Sequence, residues 1–182
     1  MTRRNQKVKS QTKPTIYWSL LLYKNWKIFL AATSKGLCFV GSHKSAFEEL
    51  AAWAQKRLPG SPLVENREEL EKYESELADY LDGKRQNFTI PFDHNGTDFQ
   101  LSVWNALCEI PYGEIRSYSD IANAINKPAA VRAVGTAIGA NPVLITIPCH
   151  RVVGKNGSLT GYRGGLEMKT RLLDLERQAF HD

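Results

Sequence analysis

Short apolar runs alternate with polar turns in the first part of the chain. Three runs rich in β-branched and aromatic residues predict strands over 15–23, 26–32 and 36–40, with turns at 24–25 and 33–35 between them. Their aromatic side chains fit either core packing in a meander or a face that stacks nucleic-acid bases, and we favour core packing.

Apolar residues at helical spacing follow these strands. They predict one helix over 45–58, which stops at Pro59-Gly60, and a second over 65–81, which stops near Gly83. Residues 48–82 carry ten acidic and four basic side chains. A surface of that charge repels DNA, so we expect it to face away from any DNA site. A short strand over 88–92, interrupted by Pro91, and a turn at 93–96 end this part of the chain.

Helical spacing returns after residue 97. Four apolar residues share one stripe of a predicted helix over 98–108, namely Phe99, Val103, Trp104 and Leu107. We expect the thiol of Cys108 to lie in the core beside them. Ser117 or Ser119 caps a further helix that runs to about residue 125, and Pro128 opens a helix of small residues over 128–140.

A helix pair joined by a short turn has the shape of a helix-turn-helix DNA reader. Small side chains on the second helix fit either a close approach to a groove or tight packing in the core. The whole pattern indicates an α+β chain, with a three-stranded sheet and helices followed by a mostly α-helical part. We expect a basic tail over 1–13, an N-terminal α/β domain over 14–96 and a C-terminal domain over 97–182.

The stretch over 141–154 carries the strongest chemical signal. The aliphatic run over 143–147 predicts a short buried strand, which Pro148 ends because proline has no N–H for a sheet ladder. Cys149 comes next, followed by His150 and Arg151, and neighbours that can hold positive charge lower a thiol pKa. A buried structural cysteine with two ordinary polar neighbours is the alternative.

Composition excludes several other classes. The chain is 42% hydrophobic and 24% charged, as expected for a globular protein, and no apolar run approaches the ~20 residues of a membrane helix. Its start resembles no signal peptide. The widely spaced Cys38, Cys108 and Cys149 form no C-x-x-C pair and no His/Cys cluster, so neither a disulfide framework nor a metal site is indicated. We expect a cytoplasmic protein without a cofactor.

The net charge of +5 lies at the N-terminus. Five basic residues and no acid occupy 1–13, and the rest of the chain balances 19 bases against 19 acids. The tail fits either an arm that binds nucleic-acid phosphates or a solubilising end.

The string 147–153, Ile-Pro-Cys-His-Arg-Val-Val, is preceded by Asn141-Pro142 and followed by Gly161-Tyr-Arg-Gly-Gly165. These separated motifs resemble, in the same order, the active-site signature of the O6-alkylguanine-DNA alkyltransferases, also called methylated-DNA–protein-cysteine methyltransferases. The resemblance extends from about Phe99 to Glu176. It implies a ribonuclease H-like N-terminal domain, a winged-helix-like C-terminal domain that binds alkylated duplex DNA, and a monomer.

The resemblance also implies the chemistry. Cys149 matches the alkyl acceptor, which attacks as a thiolate and keeps the alkyl group as a thioether, so that each molecule acts once. His150 and Glu176 match a relay in which glutamate orients histidine and histidine removes the thiol proton through a water molecule. Asn141 matches the residue that holds the turn before the active-site strand, and Arg151 matches a structural arginine.

Members of the family place the second helix in the minor groove and flip the damaged base into a pocket. Arg132 matches the arginine that fills the gap left by that base. Tyr118 matches the tyrosine that crowds the neighbouring phosphate and offers a proton to the purine N3. On the second helix, which also carries Arg132, the small residues Ala130, Ala133 and Gly135 would let the backbone approach DNA closely.

Tyr162 and Gly164 belong to the loop that closes the guanine pocket, with Val152 beside it. Some members have serine where this chain has Arg163, so we expect only the backbone N–H of Arg163 to serve as a donor there. Lys169 matches a lysine on the last helix, with a solvated helix face as the alternative.

Two rival functions remain open at this point. A non-catalytic DNA-binding protein would lack the acceptor cysteine, and a cysteine hydrolase built on Cys149 and His150 would turn over many times.

Overall fold

A four-stranded sheet carries the N-terminal half of the protein, and its strands lie in the order Gly36–Val40, Trp26–Thr33, Ile16–Tyr23 and Leu63–Glu65. The computed structural model describes residues 13–178. The sheet half comprises β1 (Ile16–Tyr23), β2 (Trp26–Thr33), β3 (Gly36–Val40), α1 (Phe47–Arg57), β4 (Leu63–Glu65) and α2 (Arg67–Leu81). The C-terminal half comprises α3 (Asp98–Cys108), β5 (Arg116–Ser117), α4 (Tyr118–Ala124), α5 (Val131–Gly139), β6 (Val152–Val153) and α6 (Gly165–Gln178).

Helices cover both faces of the sheet, which explains why β3 is buried throughout and β2 is buried apart from Lys27. Successive side chains of a strand point to opposite faces. Ile28 and Leu30 therefore join the cluster that contains Leu77 of α2, whereas Phe29 packs in the cluster that contains Leu50 of α1. The α2 cluster continues into the C-terminal half, so the two halves share one core.

Two helices of the C-terminal half start near the predicted residues, and each has a side-chain cap. Thr97 accepts a hydrogen bond from the Gln100 N–H and forms a capping box at α3, whose bounds match the prediction. Ser117, and not Ser119, forms the capping box of α4. The indole N–H of Trp104 then donates to the Ala137 carbonyl at 2.9 Å, which ties α3 to α5.

The buried strand predicted over 143–147 is wrong. This run makes only an isolated bridge from Val143 to Val40, and Ile145 lies in the left-handed region with φ 69°. The Asn141 side chain causes the difference: its oxygen accepts from the Val143 N–H at 2.9 Å, and its amide donates to the carbonyls of Val143 and Ile147. These bonds fold the run into turns. Its apolar residues therefore indicate that the segment is buried, but not that it is a strand.

Four other details differ from the sequence predictions. The sheet gains β4, which pairs parallel to β1. Residues 88–92 make only an isolated bridge at Phe92, and the helix predicted over 128–140 starts with a 3-10 turn, Pro128–Ala130, before α5. Cys108 is exposed and does not join the core, because it is the last residue of α3.

The α+β class is confirmed by this arrangement of a sheet half and a helical half. Within residues 13–178, no helix is long and apolar enough to cross a membrane. The predicted basic tail lies outside the described residues except for Lys13, whose ammonium donates to the Pro59 carbonyl at 2.6 Å.

Candidate active site

Cys149 begins a 3-10 turn, Cys149–Arg151, directly after Pro148. Its side chain is buried, and the Asn141 amide nitrogen lies 3.2 Å from its sulfur. The 3-10 turn separates successive side chains by about 120°. Asn141 therefore both folds the preceding run and donates to the thiol.

Burial dominates the electrostatics of Cys149. It raises the pKa of the thiol, and the Asn141 hydrogen bond and the charges of Arg163 and Lys169 oppose that shift only in part. The resting group is therefore a neutral thiol at pH 7. A thiol is a poor nucleophile, so this site needs a base to form the thiolate.

His150 and Glu176 meet in the interior, as the sequence suggested. The His150 Nε2 lies 2.7 Å from Glu176 Oε1. Burial lowers the pKa of His150 despite the opposing charge of Glu176, so the imidazole is neutral at pH 7. For Glu176, burial acts to raise the pKa, but hydrogen bonds from His150 and Arg151 outweigh it and lower the pKa to about 2.

The ionised state of Glu176 determines which ring nitrogen of the neutral His150 carries the proton. An ionised carboxylate only accepts hydrogen bonds, so Nε2 carries the imidazole proton. Nδ1 then holds the free lone pair, and no group among the described residues donates to it. Nδ1 is therefore the atom of His150 that can take a proton.

Glu176 also gathers donors from beyond the motif. Tyr80 donates its hydroxyl to Oε1 at 2.5 Å, and the Gly113 N–H donates to Oε2 at 2.8 Å. The Arg151 guanidinium binds both carboxylate oxygens and donates to the Ile110 carbonyl at 2.6 Å. Sequence reasoning missed Tyr80 and Gly113, because a helical apolar stripe and a loop glycine carry no sign of a partner far along the chain.

The loop at Tyr162 packs close to His150, with the two rings 6.5 Å apart and nearly perpendicular. Gly164 is required beside it: a Cβ there would lie 2.5 Å from the Met168 sulfur and 2.6 Å from the Tyr162 ring. Glycine therefore lets the loop turn tightly into α6.

The side chain of Arg163 makes contacts that the sequence did not predict. Its side chain donates to the carbonyls of Asn141, Val40 and Pro142 at 3.1, 2.7 and 3.0 Å. It also pairs with Glu49 of α1 at 2.7 Å. The guanidinium thus joins the pocket loop to both halves of the protein, in addition to anything its backbone N–H does.

Lys169 is fully buried, so the alternative of a solvated helix face is wrong. Its ammonium donates to the carbonyls of Val152 and Thr160 at 2.5 and 2.9 Å. Burial lowers the pKa of Lys169. The side chain therefore pins the segment before Tyr162 to the short strand β6.

The residues expected to contact DNA lie on α4 and on the segment formed by the 3-10 turn and α5. Arg132 and Ala133 are exposed, whereas Ala130 and Gly135 are half-buried. A Cβ on Gly135 would lie 3.8 Å from the Tyr118 ring, and the Tyr118 hydroxyl donates to the Thr160 carbonyl at 3.3 Å. Tyr118 therefore links the helix pair to the loop that leads to Tyr162.

Two family models match the chain. Residues 16–94 match the 6-O-methylguanine DNA methyltransferase, ribonuclease-like domain, and residues 98–178 match the 6-O-methylguanine DNA methyltransferase, DNA binding domain.

Two relatives are similar over nearly their whole length. The chain is 70% identical over 167 residues to the inducible methylated-DNA–protein-cysteine methyltransferase of Bacillus subtilis (strain 168), covering 92% of this chain and 93% of the relative. It is 43% identical over 163 residues to the methylated-DNA–protein-cysteine methyltransferase of Methanosarcina barkeri, covering 88% and 97%.

Solved structures agree with this. The crystal structure of Mycobacterium tuberculosis O6-methylguanine methyltransferase superposes with a TM-score of 0.78 at 35% identity, covering 91% of this chain and 94% of that one. A structure of the mycobacterial protein in complex with DNA gives a TM-score of 0.77 at 35% identity, covering 90% and 94%.

Replacing Arg163 should destabilise the fold. We expect Arg163→Ala to lower the free energy of unfolding by about 2 to 3 kcal/mol, since it removes the charge partner of the half-buried Glu49 and one donor from each of three carbonyls. Urea unfolding measures the change. Arg163→Lys keeps the charge but not the planar fork, so it should recover only part of the loss. Unfolding of Arg163→Ala at the parental urea concentration would contradict this role.

Proposed function

This chain belongs to the 6-O-methylguanine DNA methyltransferase family, and we propose that Cys149 is the residue that accepts the alkyl group. The protein is a DNA-repair enzyme that transfers a methyl group from alkylated DNA to a cysteine of its own. The observation that carries our assignment is the buried thiol of Cys149 beside a neutral His150 that an ionised Glu176 orients. Neither Cys38 nor Cys108 has a comparable base next to it among the described residues.

The reaction we propose balances within the protein and its substrate. His150 Nδ1 takes the Cys149 proton through a water molecule, and the thiolate attacks the methyl carbon on O6 of guanine. The S–C bond forms as the C–O bond breaks, and the electron pair passes to the purine, which becomes guanine on gaining a proton. A thioether is a stable product, so each chain acts once, and the step calls for no cofactor.

The protein binds DNA, and we assign the finer contacts to the helix pair. We propose that α5 enters the minor groove, where the small Ala130, Ala133 and Gly135 allow close approach. Arg132, exposed on this helix, would occupy the gap left by the flipped base, and Tyr118 would press on its phosphate. The flipped guanine would lie between Tyr162 and Cys149, in a pocket that also involves Val152, Arg163, Gly164 and Lys169.

The remaining assignments concern organisation. We propose a division into domains over 14–96 and 97–182, a monomer in solution, and action in the cytoplasm. The shared hydrophobic core supports treating the two domains as a single folding unit.

Arg132 should matter for duplex DNA more than for a free base. We expect Arg132→Ala to slow repair of a duplex by at least ~10-fold, which is ~1.4 kcal/mol of barrier, because the flipped state loses its support. Reaction with free O6-benzylguanine should hardly change. Single-turnover kinetics on both substrates measure this, and equal slowing would mean that Arg132 shapes the pocket instead.

Loss of the base should shift the pH dependence of alkyl transfer. We expect His150→Ala to slow transfer at pH 7 on the order of 100-fold, with the loss recovered only as pH approaches the pKa of the thiol itself, which burial holds above the ordinary value of about 8.5. The half-buried His94, outside the site, provides the control variant His94→Ala. A His150→Ala profile parallel to that of the parent would contradict the relay. Glu176→Gln tests it less cleanly, because it also leaves the buried Arg151 without its charge partner.

A further inference from the structure

The N-terminal half contributes a side chain to the catalytic relay. Tyr80 lies in the last turn of α2 and is fully buried. Its hydroxyl donates to Glu176 Oε1 at 2.5 Å and lies 3.2 Å from His150 Nε2. It thus touches both members of the pair that prepares the thiolate, although no part of the family signature in the sequence includes it.

The surroundings fix both the ring and the proton of Tyr80. Its ring packs 5.3 Å from that of Phe88 and 5.8 Å, edge-on, from that of Tyr112. Burial, together with the charge of Glu176, raises the pKa of Tyr80 well above its ordinary value. The hydroxyl therefore stays protonated and acts as a donor to the carboxylate.

This donation leaves the lone pairs of the Tyr80 oxygen as a second acceptor near Nε2. The Nε2–H of His150 then faces two acceptors, Glu176 Oε1 and the Tyr80 oxygen, and this favours the tautomer with a free Nδ1. The hydrogen bond from the hydroxyl also reduces the negative charge on the carboxylate oxygen that faces the imidazole. Glu176 therefore stabilises the protonated form of His150 less strongly.

We propose that Tyr80 is a positioning residue for the alkyl transfer, which holds Glu176 against His150 and keeps Nδ1 available as the base. The inference rests on the proposed role of Cys149 and His150. It gives the N-terminal domain a part in the chemistry, in addition to its part in the fold.

The titratable and charged groups that face His150 come from several elements. They are Glu176 and Lys169 on α6, Arg151 on its own turn, Cys149 before it, Tyr162 on the pocket loop and Tyr80 on α2. Tyr80 can be tested by a mild change, because phenylalanine keeps the ring and removes only one oxygen.

The test is the pH profile of single-turnover methyl transfer by Tyr80→Phe. Without the hydroxyl, Glu176 should stabilise the protonated imidazole more strongly and raise the pKa of His150. An upward shift of about half to one pKa unit would cut the rate roughly three- to tenfold on the acidic limb of the profile, below the pKa of His150, with convergence on the parental rate above pH 8. Tyr73→Phe removes a hydroxyl from a buried tyrosine on the same helix and should leave the profile unchanged.

A uniform loss of rate at every pH, or a profile equal to that of the parent, would overturn the proposal. A second measurement uses the unaltered protein: nitrogen NMR of histidine-labelled chain should show His150 protonated at Nε2 at pH 7, and protonation at Nδ1 would also overturn it. Failure of the parent to transfer a methyl group would instead refute the proposed function, so the two failures are distinguishable.

Discussion

A buried carboxylate organises this protein. Glu176 is 1% exposed and ionised, and an unpaired charge in such a place costs several kcal/mol. Its oxygens are therefore surrounded by donors from separate parts of the chain: Tyr80 on α2, Gly113 after α3, and His150 and Arg151 on the active-site turn. The fold must close around this group before Glu176 can orient His150.

The same logic extends to the neighbouring polar side chains. Asn141 satisfies the backbone of the turn that leads to Cys149, Lys169 holds the carbonyls of Val152 and Thr160, and Arg163 joins the pocket loop to both halves. Each of these side chains holds a stretch of irregular backbone, and Lys169 and Arg163 do so by also bonding carbonyls of the strands β6 and β3. Burial meanwhile raises the pKa of the Cys149 thiol and keeps it protonated at pH 7, and a neutral thiol is a poor nucleophile.

Local signals in the sequence predicted much of this, and long-range partners explain what they missed. Periodicity gave the bounds of α3, and the apolar run over 36–40 gave β3, because those elements are decided by their own residues. The same reasoning failed for the run over 143–147, because the side-chain amide of Asn141, outside the run, bonds its backbone. Tyr80 donates to a partner 96 residues away, and the side chain of Arg163 binds partners 114 and 123 residues away, separations that no spacing pattern encodes.

The identity of the acceptor is the central claim, and mass analysis of the reacted protein tests it most directly. Cys108 is exposed while Cys149 is buried, so labelling governed by access alone would favour Cys108. After incubation with excess duplex DNA that contains O6-methylguanine, the intact chain should gain one methyl group, and peptide mapping should place it on Cys149. Methyl transfer to Cys38 or Cys108, continued transfer by Cys149→Ala, or repair of more than one equivalent of DNA per chain would contradict the account.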